Sequence, residues 1–347
     1  MLSTLLNGPA ITYSSGLSAF HAMLVFLNPR RIAIGGGYHG CHGVIRLLNK
    51  LNGLTQVSLE EAASTLQKGD VLHVETPLNP TGEARDLAHY AAVARRAGAY
   101  LTVDATFAPP PLQDPFALGA DVVMHSGTKY FGGHSDMLCG VLAVAPRHAE
   151  GGGEGHDWPL GLREERLFLG SVMGSLEGWL GLRSIRTLEL RVTRQSRTAE
   201  KLVAWLAGSS SSASDDSDDD AKSAEARRQV VARVQHASLQ KEDLEAGWLR
   251  KQMPRGFGPV FALWLRSDDL ARRLPSKLRL FHHATSLGGV ESLIEWRAMT
   301  DRSVNKRLLR VSVGVEDWED LRDDLAQGFR ALVDEGRAEA VNGEDKS

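Results

Sequence analysis

Short apolar runs alternate with helix-periodic stretches through the first half of the chain. "RIAI" (31–34), "VLHVE" (71–75), "YLTVD" (100–104), "DVVMHS" (121–126) and "CGVLAVA" (139–145) are near-continuous hydrophobic segments of strand length. That is the pattern of strands covered on both faces. Between them, "DLAHYAAVARRAG" (86–98) spaces its apolar residues at helical intervals. "LSAFHAMLVFL" (17–27) reads as a helix opened by Ser15 and Gly16. Strands separated by helices predict βαβ units and a mainly parallel sheet, an α/β fold. Ligands of such sheets bind beyond the carboxyl ends of the strands, so the polar residues there carry the functional interest.

The second half reads differently. From about Leu162 to Leu206 the pattern is helical. "PVFALWLRS" (259–267) and "LLRVSVGVE" (308–316) read as strands, and "EDLRDDLAQGFRALVDE" (319–335) as a closing helix. These elements predict a large domain over residues 1–190 and a smaller α+β domain over residues 191–347. Two stretches fall outside the pattern. "EGGGEGHD" (150–157) reads as a flexible loop. "GSSSSASDDSDDDAKSAEA" (208–226) is dense in serine and acid, and a disordered surface-loop expansion is expected there.

Composition narrows the field. A chain of 347 residues with 42% hydrophobic content supports more than one core. A formal charge of −3 gives no global basic field for nucleic acid or anionic lipid. No apolar run approaches the roughly 20 residues of a membrane helix, and no secretory leader is read at the N-terminus. The two cysteines, Cys41 and Cys139, form no CxxC pair, so a reduced, cytoplasmic compartment is expected. His39, His42, His125 and His134 lack metal-site spacing. "GGGYHG" (35–40) is a glycine-rich turn without the spacing of a dinucleotide fingerprint.

The chemistry gathers around two residues. Asp104 ends the strand "YLTVD", and Lys129 follows the strand "DVVMHS" by a short turn, "GT". On neighbouring strands, both would lie at one end of the sheet. A buried carboxylate beside a buried amine is costly unless something uses both. Pyridoxal 5'-phosphate would: its aldehyde condenses with a lysine, and its ring nitrogen needs a carboxylate. Its phosphate suits a helix N-terminus, and "TYSSG" (12–16) runs straight into one, with Ser126 and Thr128 adding hydroxyls.

In order along the chain, "YSSGLSA" (13–19), "ETPLNPTGE" (75–83), "VDATFAPPPLQDPFALGADVVMHSGTKYFGGHSDMLCG" (103–140), "WLGLRSIRTLELR" (179–191), "TSLGGVESLI" (285–294) and "LLRVSVGVED" (308–317) form a specific set. With them the chain resembles the Cys/Met-metabolism, or trans-sulfuration, family of pyridoxal-phosphate enzymes. The family includes cystathionine γ-synthase, cystathionine γ-lyase, cystathionine β-lyase and methionine γ-lyase. The resemblance implies fold type I: a large domain with a mainly parallel seven-stranded sheet and a small α+β domain, assembled as homodimers or homotetramers. It also implies roles. Lys129 is the lysine that carries the cofactor and then moves protons. Asp104 is the partner of the ring nitrogen, with Thr106 beside it. Gly16, Leu17, Ser126 and Thr128 form the phosphate cup. Tyr38 stacks on the ring and serves proton transfer, Asn79 lies near the ring hydroxyl and substrate carboxylate, and Arg310 and Ser286 contact that carboxylate.

The chain departs from the family pattern in places. The family's N-terminal Tyr-x-Arg motif, which reaches a neighbour's phosphate, has no counterpart before "YSSG": either the sequence starts short of it or the phosphate is held without it. After "ESLI", the family's His-Pro-Ala-x-Met-Thr-His pattern is replaced by "EWRAMTDRSV" (295–304), with Trp296, Arg297 and Asp301 in place of the residues expected near the substrate entrance. Thr285 precedes "SLGG", where cystathionine-handling members often carry glutamate. These differences bear on substrate rather than cofactor. The activity implied is β- or γ-elimination, or γ-replacement, on a sulfur amino acid or O-acylhomoserine, as in cystathionine γ-synthase. A cystathionine β-lyase or other C–S lyase, or a weakly active paralogue kept for assembly, are the alternatives.

Overall fold

The computed structural model describes residues 1–149, 157–208, 218–301 and 303–344. The chain forms two compact units. One comprises Met1–Asn79, Glu83–Thr193 and Gln240–Phe257; the other comprises Pro80–Gly82, Arg194–Leu239 and Gly258–Ser347. The second unit is therefore not the continuous stretch 191–347, because Gln240–Phe257 returns to the first. Side-chain amides make that return: Gln240 Oε1 accepts the Ala84 N–H at 2.7 Å, and Gln252 Oε1 accepts the Leu87 N–H at 3.0 Å.

The first unit is built on a seven-stranded sheet. Its strands are β1 (Ala10–Tyr13), β2 (Arg31–Ile34), β3 (Thr55–Val57), β4 (Val71–Glu75), β5 (Tyr100–Asp104), β6 (Val122–Ser126) and β7 (Gly140–Val144), in the order β1-β7-β6-β5-β4-β2-β3. Pairing is parallel from β3 through β6, and β7 runs antiparallel to both β6 and β1. The five runs read as strands are strands, nearly all buried, because helices cover them. β1 and β3 escape a sequence reading, being short and polar in part. The helix Leu87–Ala97 is capped by Asp86, whose side chain accepts the His89 N–H at 3.2 Å, and carries Arg95 and Arg96 in its last turn. The helix Gly16–Leu27 buries Ala19, Phe20, Met23 and Leu24 in the core with Ile11, Ile32, Met124 and Leu142.

The second unit holds a five-stranded sheet of β8 (Val231–Gln235), β9 (Val260–Leu265), β10 (His282–His283), β11 (Leu293–Trp296) and β12 (Leu308–Ser312), in the order β10-β11-β12-β9-β8. Only the β10–β11 pairing is parallel. Leu321, Leu325, Phe329 and Leu332 form the buried stripe of the helix Trp318–Glu344.

The two stretches set aside in the sequence need revision. Residues 150–156 and 209–217 lie outside the described residues. Asp157 is a helix cap, accepting the Leu160 N–H at 2.9 Å ahead of the helix Trp158–Phe168. Asp218–Val230 is a helix where disorder was expected through residue 226. Ala226 and Val230 reach the second core, and the Arg227 guanidinium lies 5.5 Å from the centre of the Trp205 ring. Acid-rich composition masked those few anchoring residues. The helical stretch from 162 to 206 resolves into the helices Trp158–Phe168, Ser175–Ser184 and Leu188–Leu206.

Candidate functional site

Strand order decides which polar residues meet. β5 lies between β4 and β6, so the carboxyl ends of the three strands stand side by side, carrying Glu75, Asp104 and Ser126. Glu75 pairs in register with Asp104, and Asp104 with Met124. Asp104 is buried, and its Oδ1 accepts hydrogen bonds from the Thr106 N–H at 3.0 Å and the Thr106 hydroxyl at 2.5 Å. Thr106 Oγ1 in turn accepts the Ser126 N–H at 2.9 Å, tying the ends of β5 and β6 together. Burial pushes the Asp104 carboxyl above its ordinary value, against the two Thr106 bonds. An acid held at that cost suits a cationic group entering the site.

Next to it is the start of a helix. Ser15 caps Gly16–Leu27 by accepting the Ser18 N–H at 3.1 Å, and the first turn contains no acidic residue. The N–H groups of Gly16 and Leu17 have no acceptor within the helix, as at any helix start. Gly16 lies against Ser126: a Cβ there would fall 3.1 Å from Ser126 Oγ. A larger residue there would require Ser126 to give by a few tenths of an ångström. Backbone donors, the positive end of a 12-residue helix and the Ser126 hydroxyl together fit a phosphate monoester.

Lys129 leaves β6 through a tight turn. Its N–H donates to the Ser126 carbonyl at 3.0 Å, and its own carbonyl accepts the Gly133 N–H at 2.7 Å. Its side chain is half-buried. Thr128 Oγ1 accepts the Cys139 N–H at 3.0 Å and donates to the Cys139 carbonyl at 3.3 Å, pinning the turn to β7. Arg191 anchors the other side. Its guanidinium donates to the carbonyls of Tyr130 at 2.9 Å and Ser184 at 3.0 Å, and to the Thr187 hydroxyl at 3.1 Å. Burial lowers its pKa to about 10.

Tyr38 and Asn79 are joined by a residue the sequence reading passed over. Glu75 Oε2 accepts the Tyr38 N–H at 2.8 Å, and Oε1 accepts the Asn79 N–H at 2.7 Å. Burial and then the neighbouring Asp104 push the Glu75 carboxyl up to about 8, against those two bonds and Arg85. The Tyr38 ring is 39% exposed, and burial followed by Cys41 raises its phenol pKa. The signal for Glu75 was available: it ends "VLHVE" as Asp104 ends "YLTVD". Arg191 had no such signal, since its tie to the Lys129 turn, through the Tyr130 carbonyl, spans 61 residues.

In the second unit, Arg310 on β12 is buried and pairs with the buried Glu295 of β11 at 2.6 Å. Its Nη2 also donates to the Ser286 carbonyl at 3.1 Å and to the Thr285 carbonyl. Glu295 Oε1 accepts from Arg297 at 3.0 Å and from the Thr300 hydroxyl at 2.7 Å. Trp296 donates to the Lys306 carbonyl at 2.8 Å, and Asp301 accepts the Ser303 N–H at 2.9 Å. Of the residues that depart from the family pattern, Thr285 touches Arg310 directly and Arg297 shares its Glu295 partner, whereas Trp296 and Asp301 bond elsewhere.

A family model for the Cys/Met metabolism PLP-dependent enzymes matches residues 2–330. The cystathionine γ-synthase of Escherichia coli (strain K12) is 34% identical over 345 residues, covering 93% of this chain and 81% of that protein. The cystathionine β-lyase of Lactococcus lactis subsp. cremoris is 32% identical over 338 residues, covering 91% of this chain and 80% of that protein. Among solved structures, metB from Corynebacterium glutamicum superposes with a TM-score of 0.80 at 28% identity, covering 95% of this chain and 83% of that one. CalE6, a methionine γ-lyase from Micromonospora echinospora, gives 0.78 at 32% identity, covering 94% of this chain and 84% of that one. The chain therefore belongs to the Cys/Met metabolism family of pyridoxal-phosphate-dependent enzymes, with the type I fold.

Proposed function

We propose that the protein breaks or exchanges a bond at the β- or γ-carbon of a sulfur amino acid or O-acylhomoserine, by elimination or γ-replacement. The observation that carries this reading is the meeting of Asp104, Ser126 and the helix start at Gly16, with Lys129 leaving the same strand end. The names of the relatives, a γ-synthase and β-lyases, support the substrate class.

Pyridoxal phosphate, when bound, supplies an electron sink for the pair left at the substrate α-carbon. Lys129 would hold it covalently and, once released, move protons between substrate carbons. Asp104 would keep a proton on the ring nitrogen, helped by Thr106, which fixes the carboxylate's orientation. Gly16, Leu17, Ser126 and Thr128 would hold the phosphate. Tyr38 would lie on the ring face and, with its raised pKa, keep its phenolic proton available. Asn79 would serve the ring hydroxyl, and Arg310 and Ser286 the substrate carboxylate, an arginine fork being suited to a planar anion.

The protein with pyridoxal phosphate is incubated in turn with cystathionine, with O-acylhomoserine plus cysteine, and with methionine. Pyruvate, 2-oxobutyrate and cystathionine are then measured. Cystathionine formed from the acylhomoserine supports a γ-synthase; pyruvate from cystathionine marks a β-lyase; no product in any arm refutes the reading.

A homodimer or homotetramer in the cytoplasm completes the proposal. Leu160, Leu167, Phe168, Leu176, Trp179 and Leu182 are exposed on one segment of the first unit, Phe168 by 86%. Such a concentration of apolar side chains is usual for a subunit contact. Sedimentation showing a monomer at micromolar concentration would refute the assembly. Both cysteines are free and buried, as suits a reducing compartment. Among the described residues no helix is long and apolar enough to cross a membrane.

A further inference from the structure

Three glycines, Gly35, Gly36 and Gly37, lead from the end of β2 to Tyr38. Gly37 has a φ of +146°, and a Cβ there would fall 2.2 Å from Oε2 of Glu75. Any other residue would be strained at that φ and would force the loop or the carboxylate to shift. With glycine, the loop settles onto it and the Tyr38 N–H reaches Oε2 at 2.8 Å. The other oxygen holds the loop after β4, through the Asn79 N–H at 2.7 Å. One carboxylate, projecting from a rigid strand, thus ties down two loops.

We propose that Glu75 is a positioning residue: its carboxylate clamps the loops carrying Tyr38 and Asn79, and so sets the contacts those two residues make to the cofactor ring. The inference rests on the site reading above and adds to it a residue and a reason for the glycine-rich turn. Glu75 stands beside Asp104, and burial together with that second acid pushes its carboxyl up to about 8. Two buried acids on adjacent strand ends are an expensive way to hold a loop, which is more readily explained by a demand on geometry at the site. The carboxylate is also hard to replace. An amide offers one acceptor and turns an N–H donor toward the second backbone N–H, so Glu75→Gln keeps one tie and breaks the other. Glu75→Ala breaks both.

Hydrogen exchange on the full chain without cofactor reads the clamp directly. Above about pH 8, where the Glu75 carboxyl is ionised, the amides of Tyr38 and Asn79 in Glu75→Ala are expected to exchange about tenfold faster or more than in wild type, the factor for a lost hydrogen bond to a charged group. In Glu75→Gln one of the two accelerates. The amides of β5 keep their wild-type rates in both variants. Titration with pyridoxal phosphate is the second readout. Both variants should still form the borohydride-reducible adduct on Lys129, with an affinity about tenfold lower in Glu75→Ala and intermediate in Glu75→Gln. Unchanged exchange at Tyr38 and Asn79 would overturn the clamp. Loosened loops with wild-type cofactor affinity would overturn its link to the cofactor. Acceleration of β5 as well would make Glu75 a general support of the sheet and overturn the proposal. If the wild type itself takes up no cofactor, the site reading falls and the positioning role with it, while the exchange data still show whether the clamp exists.

Discussion

Glu295 is the centre of the ionic cluster around Arg310, and removing it tests the energetics of the second unit. Its carboxylate is 1% exposed, and its arginine partners, Arg310 and Arg297, are 4% and 10% exposed. Surface ion pairs contribute at most about 1 kcal/mol, but a buried pair that loses one member leaves a charge with neither water nor counter-charge. Glu295→Ala leaves two such guanidinium groups without their shared carboxylate. The expected loss is about 3–5 kcal/mol. Two units make a single unfolding transition a poor measure, so exchange of the β9 and β12 amides is the suitable assay. Rates there should rise by roughly 160- to 5,000-fold, the equivalent of that free energy. Arg310→Met should cost a similar amount, and combining it with Glu295→Ala should cost clearly less than the sum, because the pair is then removed together. A loss under about 1 kcal/mol for Glu295→Ala, or additive losses in the double variant, would show that the cluster is solvated and that Arg310 is not held by Glu295.

Three further outcomes are expected. Asp104→Asn should bind cofactor but lose on the order of 10³-fold in turnover, about 4 kcal/mol of barrier, since an amide cannot hold a protonated ring nitrogen; turnover within tenfold of wild type would place the carboxylate's role elsewhere. Arg310→Lys should keep the cofactor spectrum and lower kcat/KM by about ten- to 10²-fold for every amino-acid substrate, because a point charge cannot reproduce the fork; an unchanged kcat/KM would make Arg310 purely structural. Burial pushes His125 and His73 down to about 3 and His236 down to about 4, from 6.5. Between those values and 6.5 the unfolded chain takes up protons that the folded chain excludes, so each imidazole removes about 1.4 kcal/mol of stability per pH unit as pH falls below 6.5. The stability difference between wild type and His125→Gln should therefore shift by about 2 kcal/mol from pH 7 to pH 5, and a constant difference would refute the buried neutral imidazole.

The parts of the fold legible in the sequence are those fixed by local pattern. β4, β5 and β6 are near-continuous apolar runs, and an acid or hydroxyl at each end points to the ligand-binding edge. Asp104, Ser126 and Lys129 could be singled out on that ground. Glu75 occupies the same kind of position, yet its part depends on a glycine turn from another strand, which periodicity does not reveal. Arg191 acts through carbonyls of Tyr130 and Ser184, contacts set only by folding. The return of Gln240–Phe257 to the first unit rests on amide contacts to Ala84 and Leu87, more than 150 residues away in sequence. The helix Asp218–Val230 was hidden because composition averages over a window, whereas a few residues, among them Ala226, Arg227 and Val230, supply its anchoring. Around Arg310 the resemblance pointed to the arginine but not to Glu295, whose acidity matters only once both are buried on paired strands.

Lys129 is the residue on which the proposed site turns. The protein is loaded with pyridoxal phosphate, reduced with borohydride, digested and mapped by mass spectrometry, alongside Lys129→Ala. The expected result is a single reduced pyridoxyl adduct on the peptide containing "HSGTKYF" (125–131), with none on the variant. An adduct on another lysine, or equal labelling of the Lys129→Ala chain, would contradict the assignment of the strand ends of β5 and β6 as the active site.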